Sequence, residues 1–311
     1  MKKALPVLLA AATLLASPVY AQEVSTKDAA VTLGNTLVSE QIQEWTKGEN
    51  APDWLKRTEI QIQLETSLKP QYSIETVQPL FETDRRTDFL QFRLGNDHSA
   101  GTVANLGFGQ RFLSPSKQSM TGVNLFYDHG FKHGHARVGG GLEYFEGRNE
   151  YRANLYHAVS GEKEVDKVNH IFEKALSGYD VEVGTTLPNA PWMRLYLQGF
   201  VWDYKHSDDA KGYKVATEIQ VTPRVGLELG YWDDNKGSGE QYAKVMYTLG
   251  NKADAMYEKG KPVFRRTETA TVENKRLDKV RRENDIRVER YSKQADASVP
   301  GGTIIISFSR D

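Results

Sequence analysis

The 311-residue chain contains no cysteine, which excludes a disulfide framework, a thiolate metal site and lipid attachment at a mature N-terminal Cys. It has no long hydrophobic run beyond Leu5 to Ala16, too short to span a bilayer as a helix. It carries no excess of either charge, with a formal net of −1, and its mean hydropathy of −0.57 resembles that of a soluble protein. A Gly-rich phosphate loop opening a helix is also missing. The glycines of "VGGGLEY" sit inside a strand pattern, so no nucleotide site is supported.

One kind of periodicity accounts for most of what is present. From Thr58 to Gly250, segments of about ten residues alternate apolar and polar side chains and are separated by turn residues. In "TEIQIQLET", Ile60, Ile62 and Leu64 share one face and Glu59, Gln61, Gln63 and Glu65 the other, because successive strand side chains point oppositely. Twelve such segments are predicted, near 58–66, 70–81, 88–95, 101–113, 119–130, 134–146, 148–159, 178–187, 191–204, 210–222, 225–233 and 240–249. An even number of antiparallel strands of this length predicts a closed, twelve-stranded transmembrane outer-membrane β-barrel. Low mean hydropathy is compatible with it, since only alternate residues face lipid.

Lys2 and Lys3, the apolar run and "SPVYAQ" predict a signal peptide over 1–21, cleaved after Ala21, and hence localisation in the outer membrane. Residues 22–57 form an expected periplasmic lead-in, with Ala29, Ala30, Leu33, Leu37, Val38, Gln41, Ile42 and Trp45 at helical spacing. Aromatics near strand ends (Tyr72, Phe81, Phe112, Phe131, Tyr144, Tyr179, Trp192, Trp202, Tyr204, Tyr231, Trp232 and Tyr242) are expected in two interfacial girdles. Arg93, Arg111, Glu143, Arg152, Glu182, Arg194, Glu218, Glu228 and Lys244 fall on the inward face and predict a wet lumen of mixed sign. The polar insert Ser160 to Ser177 is expected as an outer loop.

After Gly250 the alternation stops. Residues 251–311 read as a basic linker or tail, with 13 Lys and Arg against 8 Asp and Glu between Asn251 and Lys293. It either sits in the lumen or hangs solvated in the periplasm. "GGTIIISFSRD" is a short strand candidate that could add to a neighbouring edge. Because the tail's charges are interleaved and the chain is exported, nucleic acid is not an expected partner.

The ordered series "LGFGQRFL", "MTGVNLFYDHGF", "ARVGGGLEYFEGRNEYRANLYHAVSG", "GYDVEVGTTLPNAPWMRLYLQGFVWDY" and "ATEIQVTPRVGLELGY" resembles the barrel domain of the intimin and invasin family, the inverse autotransporters. The resemblance implies a barrel that threads a linker through its lumen and presents a passenger outside. About twenty residues lie beyond Tyr291, so the expectation is a minimal member lacking the Ig-like passenger. A translocator or surface-interaction role follows. Expected partners are outer-membrane lipid, the barrel-assembly machinery, periplasmic chaperones and a host or cell-surface ligand at the outer loops.

Two other readings stay open. One is a small porin-like channel. The other is a rim hydrolase, for which Asp97 with His98, Asp128 with His129, and Asp208 with Asp209 supply acid and base groups. Polar loops collect such residues by composition, so no catalytic residue is assigned. His129, His133 and His135 have the donor chemistry for a transition metal. A chance loop cluster explains them as well, and neither metal nor cofactor is assigned.

Overall fold

In the computed structural model, residues 52–66, 70–267, 271–296 and 302–307 are described. The signal-peptide segment and the lead-in helix expected before Pro52 lie outside them. The first described element is a single helical turn, α1 (Asp53–Lys56), whose Leu55 packs on Leu249 at the barrel base.

Seven strands follow in sequence: β1 (Thr58–Glu65), β2 (Gln71–Glu82), β3 (Arg86–Asp97), β4 (Gly101–Leu113), β5 (Ser119–Gly130), β6 (His135–Glu146) and β7 (Asn149–Ala158). The chain then makes a hairpin, β8 (Lys163–Asp166) and β9 (Ile171–Ala175). It resumes with β10 (Ser177–Leu187), β11 (Ala190–Asp203), β12 (Ala210–Gln220), β13 (Val225–Asp234) and β14 (Glu240–Thr248). All but β8 and β9 form one closed antiparallel barrel of twelve strands. The seam is β1 against β14, in register from Glu59↔Thr248 to Glu65↔Tyr242. A second sheet, ordered β16-β15-β9-β8, joins the hairpin to β15 (Val288–Asp296) and β16 (Gly302–Ser307) from the tail.

Burial identifies the solvent each face meets. Along β7, Glu150, Arg152, Asn154 and Tyr156 are buried while Tyr151, Ala153, Leu155 and His157 are exposed. Leu125, Leu142 and Leu155 are 65%, 63% and 67% exposed, whereas Arg111, Arg137 and Asp128 are fully covered. A protein that places its leucines outside and its charges inside is built for lipid. Closure pairs every strand's backbone with a neighbour, as a bilayer interior demands.

The expected strand boundaries agree with the observed ones to within about two residues. The hairpin was not expected, because "KEVDKVNHIFEKA" reads as polar insert and its apolar face becomes useful only against the tail. The rim bearing α1 is called the near rim. The rim bearing the hairpin is the far rim.

Candidate functional site: a lumen threaded by the tail

Strand parity lines the lumen with carboxylates from all round the barrel, and the tail supplies cations to match. The path starts at the near rim, where the amides of Lys252, Met256, Arg265 and Thr267 donate to carbonyls of Pro223, Gln220, Asn189 and Pro188. The chain then turns inward through a short 3-10 turn (Glu273–Lys275). Lys275 pairs with Glu150 of β7 at 2.7 Å, Lys279 with Glu59 of β1 at 2.5 Å and Arg282 with Asp128 of β5 at 2.7 Å. Further along, the Ile286 amide donates to Asp97 at the far end of β3 at 2.7 Å, and β15 emerges beyond.

Arg281 is the hub of the threaded segment. Its guanidinium reaches Glu182 of β10 at 3.0 Å, Glu218 of β12 at 3.1 Å and Glu228 of β13 at 3.0 Å, and stacks 3.6 Å from the Tyr196 ring centroid. Arg282 lies over Phe126 and Arg287 over Phe200 and Trp232. A planar, weakly hydrated cation suits a place that is ionic on one side and aromatic on the other. The wall also grips the tail's backbone: Arg111, locked bidentate on Glu143, donates to the carbonyls of Lys275, Arg276 and Asp278 at 3.1, 3.1 and 2.6 Å. Glycine makes room for the rings. A Cβ on Gly107 would lie 2.2 Å from the Phe126 ring, and one on Gly109 would lie 2.3 Å from Phe89.

At the far rim the tail passes Ile286, which is fully buried against Ala100, Val103 and Ala175. It then enters the second sheet. Tyr291 is fully buried between Phe172 and His206, and its hydroxyl donates to Glu162. Glu289 accepts the amides of Lys205 and His206 at 2.9 and 2.7 Å.

These contacts revise the reading of the lumen. The inward charges do not face an open, wet channel; they face the tail, and a cavity of about 250 Å³ remains beside it, lined by Gln61, Arg93, Lys214 and Lys244 among others. The girdle also needs correction. Phe81, Phe112, Phe131, Tyr144 and Tyr179 are exposed, but Trp192, Trp202 and Tyr242 are buried and Trp232 packs with them inward. They share strand parity with the charged face, and all but Trp192 serve as platforms for cations, Arg137 and Arg287 lying 5.6 and 5.4 Å from the Trp202 ring centroid, while Trp192 donates to the Val263 carbonyl of the tail.

The acid and histidine pairs do not converge. Asp128 points inward and is saturated by Arg137 and Arg282, while His129, the next residue on the strand, points outward between Tyr127 and Phe131. Asp97 is occupied by the amides of Ser99, Ala100 and Ile286. Asp209 accepts the Tyr204 amide in the 204–209 loop, beside Asp208. His133 and His135 approach Glu173 at 4.0 and 3.2 Å, apart from His129. Burial pushes the His133 imidazole below its ordinary 6.5. No group of three or more metal-donor side chains placed to hold an ion occurs among the described residues. The functional residues that sequence reasoning left unassigned are the tail cations Lys275, Lys279, Arg281, Arg282 and Arg287. Their signal was the arginine-rich "KRLDKVRRENDIR" following a strand region rich in inward glutamates.

A closed barrel with an apolar exterior and an ionic lumen threaded by its own tail is an outer-membrane β-barrel of the kind that carries a linker. The chain belongs to the inverse autotransporter β-domain family, whose family model matches residues 10–284. It is similar to the intimin of Escherichia coli O127:H6, 26% identical over 86% of this chain, and to the inverse autotransporter adhesin YeeJ of E. coli K12, 28% identical over 45% of it. It spans 28% of that intimin, 6% of YeeJ and about half of another E. coli K12 relative. The solved structure presented under "Unveiling the Mechanism Behind the in-meso Crystallization of Membrane Proteins" superposes with a TM-score of 0.63 at 22% identity, over 75% of this chain and 99% of that one, a likeness of fold.

Proposed function

We propose that this chain is an export module that passes its C-terminal segment outward through its lumen and displays it at the cell surface. The observation that carries the reading is the path of the tail's described residues, from backbone bonds at the near rim, through Arg281, to strand β15 beyond the far rim. The near rim is then periplasmic and the far rim outside. Membership of a family whose relatives are named intimin and adhesin supports surface interaction, with the far-rim loops and second sheet meeting a host or cell-surface ligand. The role needs no catalytic residue. Insertion requires the barrel-assembly machinery and periplasmic chaperones, as for a chain with alternating apolar residues that must cross an aqueous compartment unfolded. The porin-like reading gains no support from a lumen occupied by ion-paired chain.

An epitope tag after Asp311, with a second tag inserted after Val168 at the exposed hairpin tip as positive control, tests the reading in intact cells. Antibody labelling of both is expected. Labelling of the hairpin alone would place the tail's end inside and defeat it.

A further inference from the structure

The second sheet is ordered as its strands would become available outside. The β8–β9 hairpin belongs to the barrel's own far-rim loop and leaves one edge of β9 unpaired by the hairpin itself. A two-stranded hairpin is marginal in water, and an open edge is a template for another strand. The first tail segment beyond the lumen, β15, takes that edge in register from Val288↔Ala175 to Ser292↔Ile171. Bonds from the Leu176 amide to the Arg287 carbonyl, and from the Lys293 amide to that of His170, bracket the pairing at 2.9 and 3.1 Å. The next segment, β16, then adds to β15, from Tyr291↔Ser307 to Asp296↔Gly302.

Side chains fasten this pairing. Tyr291 stacks on Phe172 at 6.2 Å and meets the His206 ring at a tilt, 4.2 Å between centroids, so β15 is held by the hairpin on one side and by the 204–209 loop on the other. Lys293 and Tyr291 both reach Glu162, just ahead of β8, and the Lys293 ammonium lies 4.5 Å from the Phe172 ring centroid. Below the sheet, the lumen holds the tail as a single extended chain, contacted from β1, β5, β10, β12 and β13 within the four residues Lys279 to Arg282.

We propose that the β8–β9 hairpin is a built-in folding template that captures the first exported strand and lets following strands add in order, so that the exported chain is latched outside by strand pairing. The ligand of this surface is the barrel's own tail. The inference rests on the export reading, and the experiment separates the two.

The chain's lack of cysteine makes one engineered pair diagnostic. Ile171→Cys with Ser292→Cys sits opposite across β9 and β15, between hydrogen-bonded rungs, where the separation suits a disulfide. In intact cells carrying the Asp311 tag, this pair is expected to crosslink at least fivefold more than Ile171→Cys with Gln294→Cys, which is two residues out of register. Replacing residues 162–174 by a Gly-Ser linker is expected to cut surface labelling of the tag at least fivefold per folded barrel, counted as the protease-resistant barrel band. Tyr291→Ala, which leaves the hairpin intact, is expected to lower the Ile171–Ser292 crosslink at least threefold. A labelled tag with no preference for the in-register pair, or undiminished labelling without the hairpin, overturns the template while leaving export standing. A tag unlabelled in the otherwise native chain overturns both.

Discussion

Arg281 offers the sharpest test of how the tail is held. Arg281→Met keeps most of the aliphatic stem and removes the guanidinium that joins Glu182, Glu218 and Glu228. The three carboxylates are not left equally exposed to the loss. Glu182 retains Arg152 at 3.1 Å, and Glu228 retains Lys244 at 3.4 Å and the Tyr242 hydroxyl at 2.8 Å. Glu218 has no other ion pair within 4 Å on this side of the barrel among the described residues. Removing one partner of a buried pair costs roughly 3–5 kcal/mol. The stacking of Arg281 on Tyr196 adds about 1–2 kcal/mol, and the surviving partners of Glu182 and Glu228 offset a similar amount. A net loosening of about 3–5 kcal/mol corresponds to about two to four decades in the opening equilibrium. Amide hydrogen exchange of the 277–287 segment in the detergent-solubilised barrel should therefore accelerate by about 100-fold or more. Adding Glu218→Gln, which discharges the stranded carboxylate, should recover at least a tenth of the lost protection. Exchange within threefold of the native rate in Arg281→Met would refute the claim that this hub anchors the tail.

Truncation after Gly250 removes the tail and every cation it places in the lumen, so the shortened barrel is expected to conduct ions in planar bilayers, whereas the intact chain stays closed; equal conductance would contradict a tail that blocks the passage. Gly109→Val drives a side chain into the buried Phe89 ring that supports Arg111, and a loss of about 1–3 kcal/mol should lower the temperature of the folded-to-unfolded gel shift. At the far rim, burial pushes the Glu162 carboxyl up, but hydrogen bonds from Lys293 and Tyr291 outweigh it and hold it below its ordinary 4.5. A carboxyl lowered in the folded state stabilises above 4.5, and that contribution is lost as pH falls through the lower value. The protection factor of the β15 amides, taken relative to their intrinsic exchange rate at each pH, should accordingly fall as pH drops below 4.5, and a flat profile would count against the Glu162 link.

The barrel was legible because period-two alternation is a local signal, repeated twelve times and bounded by turn residues. "NEYRANLYHA" shows on its own which face is inward. The same logic failed for Trp202 and Tyr242, since an aromatic near a strand end is compatible with either face until parity is counted against charged neighbours such as Arg137 and Lys214. The tail resisted for a different reason. Nothing local in "KRLDKVRRENDIR" distinguishes a solvated segment from a threaded one; the difference lies in Glu59, Glu150, Asp128 and Glu228, which are distant in sequence and converge only once the barrel closes. Likewise the hairpin at 163–175 becomes a sheet member through β15, more than a hundred residues later.

Glu59 stands on the first barrel strand, opposite Thr248 of the last, and its carboxylate is met by Lys252 and Lys279 at 2.5 Å each and by the Thr248 hydroxyl at 3.2 Å. Both ammonium groups come from the tail. The cylinder is therefore riveted along the joint between its first and last strands by chain that is not part of its wall, and closing it is tied to loading it. An empty cylinder would lose both cations that hold Glu59 beside its own seam, so cargo and container mature together.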